Sequence, residues 1–278
     1  MALAGDTMLG RGVAAVLESV PRASLFAPEV VAAVRGADLA LLNLECCIST
    51  RGERWPDRWK PFFFRAPPAA IDVLTHLGVE CVTLANNHAL DFGTVALTDT
   101  LHLLHAAGIE TVGAGANVDE ARRPAVLEAK GFRLGVVGAT DYPADYAAGP
   151  RRPGVAFARL GEEIPDWLAG TISRLDVDAV LVTPHWGPNM IERPRPEIRR
   201  AAAQLLAAST PRSRPRATAR APAASSSRTI CEPQCVNTAR CADSAAHQSS
   251  WSRIDAWPMR TPSRTRTRGR VRRAPSPM

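Results

Sequence analysis

Asp6, Asn43, Glu45, Asn86, Asn87, His88, Asp91 and His185 are the residues of this chain whose types and positions could do chemistry. Each falls where a short apolar run ends. Asp6 follows Leu3-Ala4, and Asn43 and Glu45 close the run 39–44. Asn86-Asn87-His88 with Asp91 come after Val79–Leu84, and His185-Trp186 come after 178–182 and Thr183-Pro184. Carboxylate, amide oxygen and imidazole gathered at strand ends suit a divalent cation such as Mn, Fe or Zn. Such a cation acts as a Lewis acid and lowers the pKa of a bound water. Taken singly, each residue has a plainer account. An Asp after a strand caps a turn or a helix, an Asn-His pair makes a turn with a satisfied imidazole, and Trp186 is a core residue. Glu45 is harder to dismiss, because a carboxylate inside an apolar stretch needs a partner if it is buried.

The elements that would carry these residues alternate in period. Apolar runs near 3–4, 39–44, 79–84, 111–112 and 178–182 read as buried strands. Helical spacing is seen over 13–17, 28–35, 69–77, 94–107 and 196–208, the fourth with Val95, Leu97, Leu101 and Leu104 and a stop at Gly108. The runs 125–129 and 132–137, separated by Lys130-Gly131, predict a β-hairpin. Alternating strands and helices imply an α/β fold with a largely parallel sheet and its site at the strand C-termini.

Composition divides the chain near residue 209. Residues 209–278 contain no Leu, Phe, Tyr or Lys, but 14 Arg among Ala, Pro, Ser and Thr. Without large apolar side chains such a stretch cannot offset its ordering entropy, so a disordered tail is expected. It carries a net charge of +11, whereas residues 1–208 carry −4. The chain's overall +7 therefore gives no reason to assign the folded part to nucleic acid. No apolar run is long enough to span a membrane, and no signal peptide is apparent at the N-terminus. Cys46, Cys47 and Cys81 lie in apolar runs and read as reduced core residues, so a cytoplasmic location is expected.

The same residues carry a family resemblance. Gly5-Asp6-Thr7-Met8-Leu9-Gly10, Asn43-Leu44-Glu45, Ala85-Asn86-Asn87-His88-Ala89-Leu90-Asp91-Phe92-Gly93 and His185-Trp186-Gly187 resemble, in order, the motifs of the CapA-type poly-γ-glutamate capsule biosynthesis family. Phe64-Arg65-Ala66-Pro67, Gly113–Asn117 and Gly135–Asp141 fit between them. The resemblance spans 1–208 and implies a calcineurin-like metallophosphoesterase fold, two β-sheets flanked by helices, with a metal centre on the rim. It also implies Asp6, Glu45, Asn87 and His185 as metal ligands, His88 as an acid oriented by Asp91, and Asn86 and Trp186 at the substrate. The substrate would be poly-γ-glutamate or another anionic polymer or phosphate. Met8 stands where the phosphoesterase pattern has a histidine, which leaves a single-metal site or a site whose metal is structural.

Family members continue with a further strand and a Gly-His-x-x-His-type motif that this sequence lacks. Three observations suggest a reading-frame shift near 208–216. The change is abrupt, the chain has two lysines only, and Arg216–Arg220 can be encoded by bases that spell Gly-His-Gly-Pro one nucleotide earlier. On this reading 1–208 is an incomplete domain and 209–278 is out of frame. A basic arm for anionic polymers, or zinc binding by Cys231, Cys235, Cys241 and His247, are competing readings of the tail. For the whole chain, a general metal-dependent phosphoesterase and a catalytically inactive fragment or binding module remain as alternatives.

Overall fold

The structure is a computed structural model that describes residues 1–21, 24–161, 163–189, 191–209 and the backbone of 230–231. In chain order its first half contains β1 (Ala2–Thr7), α1 (Arg11–Ser19), α2 (Pro28–Arg35), β2 (Ala40–Leu44), β3 (Cys47–Ile48), β4 (Arg65–Ala66), α3 (Ala70–Leu77), β5 (Cys81–Thr83) and α4 (Gly93–Ala106). Then follow β6 (Glu110–Val112), β7 (Ala114–Gly115), α5 (Val118–Ala121), β8 (Ala125–Ala129), β9 (Phe132–Thr140), β10 (Gly154–Val155), α6 (Asp166–Arg174), β11 (Ala179–His185), α7 (Pro196–Ala208) and β12 (Ile230–Cys231).

Two four-stranded sheets organise these elements. The first has the order β1-β2-β5-β6 with every pair parallel. The second has the order β12-β11-β9-β8, parallel except for the β8–β9 hairpin. That hairpin turns at Lys130 and Gly131, both at positive φ (52° and 78°), the conformation a two-residue turn needs to match strand twist.

Three apolar layers hold the sheets and helices together. Leu39, Leu41, Cys81 and Val112 of the first sheet region meet Ala125, Leu127, Leu134, Val136 and Leu181 of the second. Helices α1 to α4 cover the outer face of the first sheet through Leu17, Val73, Leu74, Leu97, Leu101 and Leu104. The outer face of the second packs on α6 and α7 through Leu168, Ile172, Ile198, Ala201 and Leu205. The i, i+3/i+4 spacing of these helical residues places each set on one stripe. Helix α3 stops at Gly78, whose left-handed φ of 75° lets its N–H cap the carbonyls of Leu74 and Thr75.

At the site end the sheets approach closely. A Cβ on Gly113 would lie 2.4 Å from the Ala85 side chain, and one on Gly138 would lie 2.8 Å from Thr83 Oγ1. Gly113, just past β6, thus presses on Ala85 at the start of the loop that carries Asn86, Asn87 and His88, and Gly138 of the second sheet packs on Thr83 and Gly113 behind it.

The expected α/β fold with two flanked sheets is present, and the expected strands and helices are found with boundaries differing by a few residues. Three features depart from expectation. The strand expected over 132–137 runs on to Thr140. Helix α6 is unanticipated, because Gly170 and the β-branched Thr171 and Ile172 dilute a pattern that rests on Leu168 and Ile172. The sheet was expected to end at the strand preceding α7, yet Ile230–Cys231 of the tail pairs parallel with Leu181 and Val182 of β11. The remaining expectations for 210–278, disorder, zinc binding and a shifted frame, lie outside the described residues. Among the described residues no helix is long and apolar enough to cross a membrane, and Cys46, Cys47 and Cys81 are free and buried.

Candidate functional site

The C-terminal ends of β1, β2, β5 and β11 bring the expected residues together. Asp6 and Asn43 are register partners on β1 and β2, and Asn43 Nδ2 donates to Asp6 Oδ1 at 2.8 Å. Asn86 is fully buried. Its Nδ2 donates to Asn43 Oδ1 and to the Leu44 carbonyl, both at 2.9 Å, and its Oδ1 accepts the His88 backbone N–H at 3.0 Å. Asn86 is therefore a strut that fixes the loop on the end of β2, and its amide is consumed within the protein rather than offered to a substrate.

His88 is held on three sides. Its Nδ1 lies 2.6 Å from Asp91 Oδ2, and the Phe64 ring stacks on the imidazole with centroids 3.9 Å apart and planes 23° apart. Its Nε2 stands 3.7 Å from Glu45 Oε1. Burial lowers the His88 pKa, against the opposing pull of Asp91, which favours a neutral ring. With Nδ1–H donating to Asp91, the open nitrogen is Nε2.

Asp91 has no solvent exposure and accepts from four donors. His88 Nδ1 and the Phe64 N–H, each at 2.6 Å, reach Oδ2. The Tyr146 hydroxyl at 3.2 Å and Lys60 Nζ at 3.1 Å reach Oδ1. Lys60 also donates to the Asn87 carbonyl at 2.6 Å. A buried carboxylate with this many donors is held in place.

On the opposite side, His185 Nε2 donates to Asn87 Oδ1 at 2.8 Å, and its Nδ1 lies 3.9 Å from Asp6 Oδ1. Glu45 and Asp6 are within hydrogen-bonding reach of each other. Burial first, and the charge of Asp6 second, push the Glu45 pKa up to about 8. Glu45 thus carries a proton at neutral pH that an ordinary glutamate would have lost. Beyond β9, burial raises the pKa of Asp141, whose Oδ2 accepts the Gly187 N–H at 3.2 Å.

Asp6, Glu45, Asn87, His88, Asp91 and His185 converge as expected, but they bond to one another directly. Among the described residues no group of three or more His, Cys, Asp or Glu side chains is arranged to hold a metal ion. Met8, where the phosphoesterase pattern has a histidine, accepts the Gly10 N–H on its sulfur at 3.0 Å. Trp186, expected at the substrate, is packed in the apolar layer with Ile198 and Leu205, and its buried indole N–H has no partner among the described residues. Lys60 and Tyr146 are parts of the centre that the sequence reading did not single out, and Phe64, noted there only within a family segment, stacks on His88. Lys60 carried a signal, as one of two lysines in the chain, set within the aromatic stretch 59–64.

Comparison with known proteins places this geometry. The family described as "Bacterial capsule synthesis protein PGA_cap" matches residues 1–210. A probable polyglutamine synthesis accessory protein of Mycobacterium tuberculosis is 38% identical over 161 residues, covering 55% of this chain and 42% of that protein. The capsule biosynthesis protein CapA of Bacillus anthracis is 26% identical over 204 residues, covering 70% of this chain and 48% of that protein. A crystal structure of a hypothetical protein from Thermus thermophilus aligns with a TM-score of 0.42 at 17% identity, over 75% of this chain and 64% of that one. The chain spans under half the length of these two curated relatives. The match from residue 1 to residue 210 takes in every strand end of the centre, and the chain belongs to the PGA_cap family of bacterial capsule synthesis proteins.

Proposed function

We propose that residues 1–208 form a metallophosphoesterase-like domain acting in the synthesis or handling of poly-γ-glutamate, through a metal-assisted step on a phosphate- or amide-type bond. The observation that carries this reading is the Asp6–Glu45 pair, two carboxyls in contact at the strand ends, with Glu45 holding its proton up to about pH 8. A buried carboxyl facing a second, more exposed one forms an arrangement that a cation relieves. The donor set fits one divalent ion. Asp6 and Glu45 offer carboxylate oxygens, Asn87 an amide oxygen and His185 an imidazole nitrogen, once their mutual hydrogen bonds give way. A cation held there supplies Lewis-acid polarisation and an acidified water.

The remaining steps belong to the chain. Asp91, fixed by Lys60, Tyr146 and the Phe64 N–H, holds His88 with Nε2 toward the centre, where that nitrogen would first take a proton, from solvent or from Glu45 3.7 Å away, and then pass it to a leaving group. Asn86 keeps the Asn87-His88 loop in register with β2. The abrupt change in composition near residue 209 is what motivates reading 209–278 as out of frame. Resequencing codons 205–225 from an independent isolate tests that part.

The metal reading is tested by calorimetry of the purified chain with MnCl2 and ZnCl2. Stoichiometric uptake that disappears in Asp6→Ala and Glu45→Ala supports it, and absence of uptake overturns it. A catalytically inactive binding module is the second reading, favoured by the direct bonding of the expected ligands to one another. Hydrolysis of bis-p-nitrophenyl phosphate that is lost in His88→Ala separates the two.

A further inference from the structure

Arginine over an aromatic ring recurs around the segment 51–65 between β3 and β4. Arg65 lies over Phe92 at 4.1 Å and is held by the Arg51 and Gly52 carbonyls, and three more contacts line the open side. Arg11 lies over the Phe62 ring at 5.2 Å, Arg54 over Phe63 at 5.4 Å and Arg58 over Trp59 at 4.6 Å. None of the three guanidiniums has a carboxylate partner among the described residues. Other cations nearby are already committed, Arg51 to Asp99 and Lys60 to Asp91. Trp59 is 79% exposed and Phe62 51% exposed, an unusual amount of aromatic surface to leave in water.

Through Phe62 this surface reaches the centre, while Phe63 packs edge-on against Phe92 at 6.4 Å. Phe62 stacks on Phe64, with centroids 6.3 Å apart and planes 17° apart, and Phe64 stacks on His88. Arg11 opens α1 at a φ of +54°, a strained value for a residue other than glycine. The centre gathers the carboxyls of Asp6, Glu45 and Asp91 around one cation, Lys60, so an anionic ligand gains from further cations beside it. A guanidinium laid flat on a ring keeps its in-plane N–H edges for a carboxylate and loses little freedom when it binds one.

We propose that Arg11, Arg54 and Arg58, backed by Phe62, Phe63 and Trp59, form a track that grips an extended polycarboxylate chain as it enters the centre. Carboxylates of the polymer meet the guanidinium edges, and its amide planes lie on the exposed rings. The proposal rests on the poly-γ-glutamate reading above and assigns the residues that would carry it. Loosely solvated surface arginines would be the plain alternative, and they would not depend on guanidinium geometry or on the rings beneath.

The test is fluorescence anisotropy of fluorescein-labelled poly-γ-glutamate with the purified full-length chain at about 0.15 M salt. The triple variant R11K/R54K/R58K keeps every charge, including those of residues 209–278, and removes only the planar forks. It is expected to bind about tenfold more weakly, and W59L/F62L severalfold more weakly. Unlabelled polyphosphate and single-stranded DNA are expected to compete poorly. Wild-type-like affinity in the lysine variant, no binding by the wild type, or equal competition by polyphosphate or DNA overturns the track. Manganese calorimetry on the same variants separates this from the metal reading. Uptake should be unchanged in R11K/R54K/R58K, so loss of polymer binding with or without metal uptake is attributed to the track alone.

Discussion

Lys60 Nζ sits 3.1 Å from Asp91 Oδ1, joining a loop that lacks regular structure to the residue that orients His88. The ammonium is nearly buried and the carboxylate completely so. Removing one partner of such a pair leaves the other desolvated. Three donors to Asp91 remain in Lys60→Met, which keeps the cost to about 2–3 kcal/mol. Urea unfolding of the variant should show that loss, while Lys130→Met, whose partner Asp38 is exposed, should change stability by less than about 1 kcal/mol. Equal effects would show that the loop is not held through Lys60.

Glu45 makes the metal-free chain sensitive to pH. Its folded pKa of about 8 lies above the ordinary 4.5, so the folded state keeps a proton that the unfolded chain releases. Stability from this group therefore falls as pH rises from about 4.5 to 8 and levels off beyond. His88, with a lowered pKa, acts in the opposite sense as pH rises through its titration. Melting temperatures from pH 5 to 8 should show Glu45→Gln gaining on wild type by several degrees toward pH 8. Parallel curves would remove Glu45 from the account.

Metal uptake and that proton compete for the same oxygens. Manganese at about 100 times its dissociation constant should stabilise the chain by roughly 2.7 kcal/mol. EDTA should reverse the gain, and Asp6→Ala and Glu45→Ala should abolish it. Affinity should rise between pH 6 and 8 as Glu45 loses its proton. A gain independent of pH would place the ion elsewhere.

Gly113 tests the packing at the ends of β5 and β6 in the first sheet. Its φ of +82° disfavours any side chain, and a Cβ would stand 2.4 Å from the Ala85 side chain. Gly113→Ala should cost about 2–4 kcal/mol in denaturant unfolding and weaken metal uptake, because Ala85 begins the Asn86–His88 loop. Normal uptake by the folded variant would mean that the loop tolerates the wedge.

The sequence made the strand ends legible because burial and polarity change abruptly there. Asp6, Asn43, Glu45 and the Asn-Asn-His run interrupt apolar stretches, and a polar residue in a buried run must be offset by a partner. The supporting groups were hidden for the opposite reason. Lys60, Phe64 and Tyr146 sit in irregular segments whose composition resembles any surface loop, and their long-range contacts with Asp91 and His88 follow no sequence period. Trp186 looked like a site residue by its neighbour His185, but alternation along a strand sends adjacent side chains to opposite faces. Helix α6 was missed because its buried stripe is only two residues deep.

The fixing of His88 has a kinetic consequence. A ring on one face and a carboxylate at Nδ1 leave the imidazole one doorway, Nε2, for proton traffic. A proton delivered there to a departing group has to be recovered through the same atom. If His88 is the proposed acid, turnover would include an interval in which product has cleared the centre and a proton returns to Nε2, so reloading and release would be tied to one schedule.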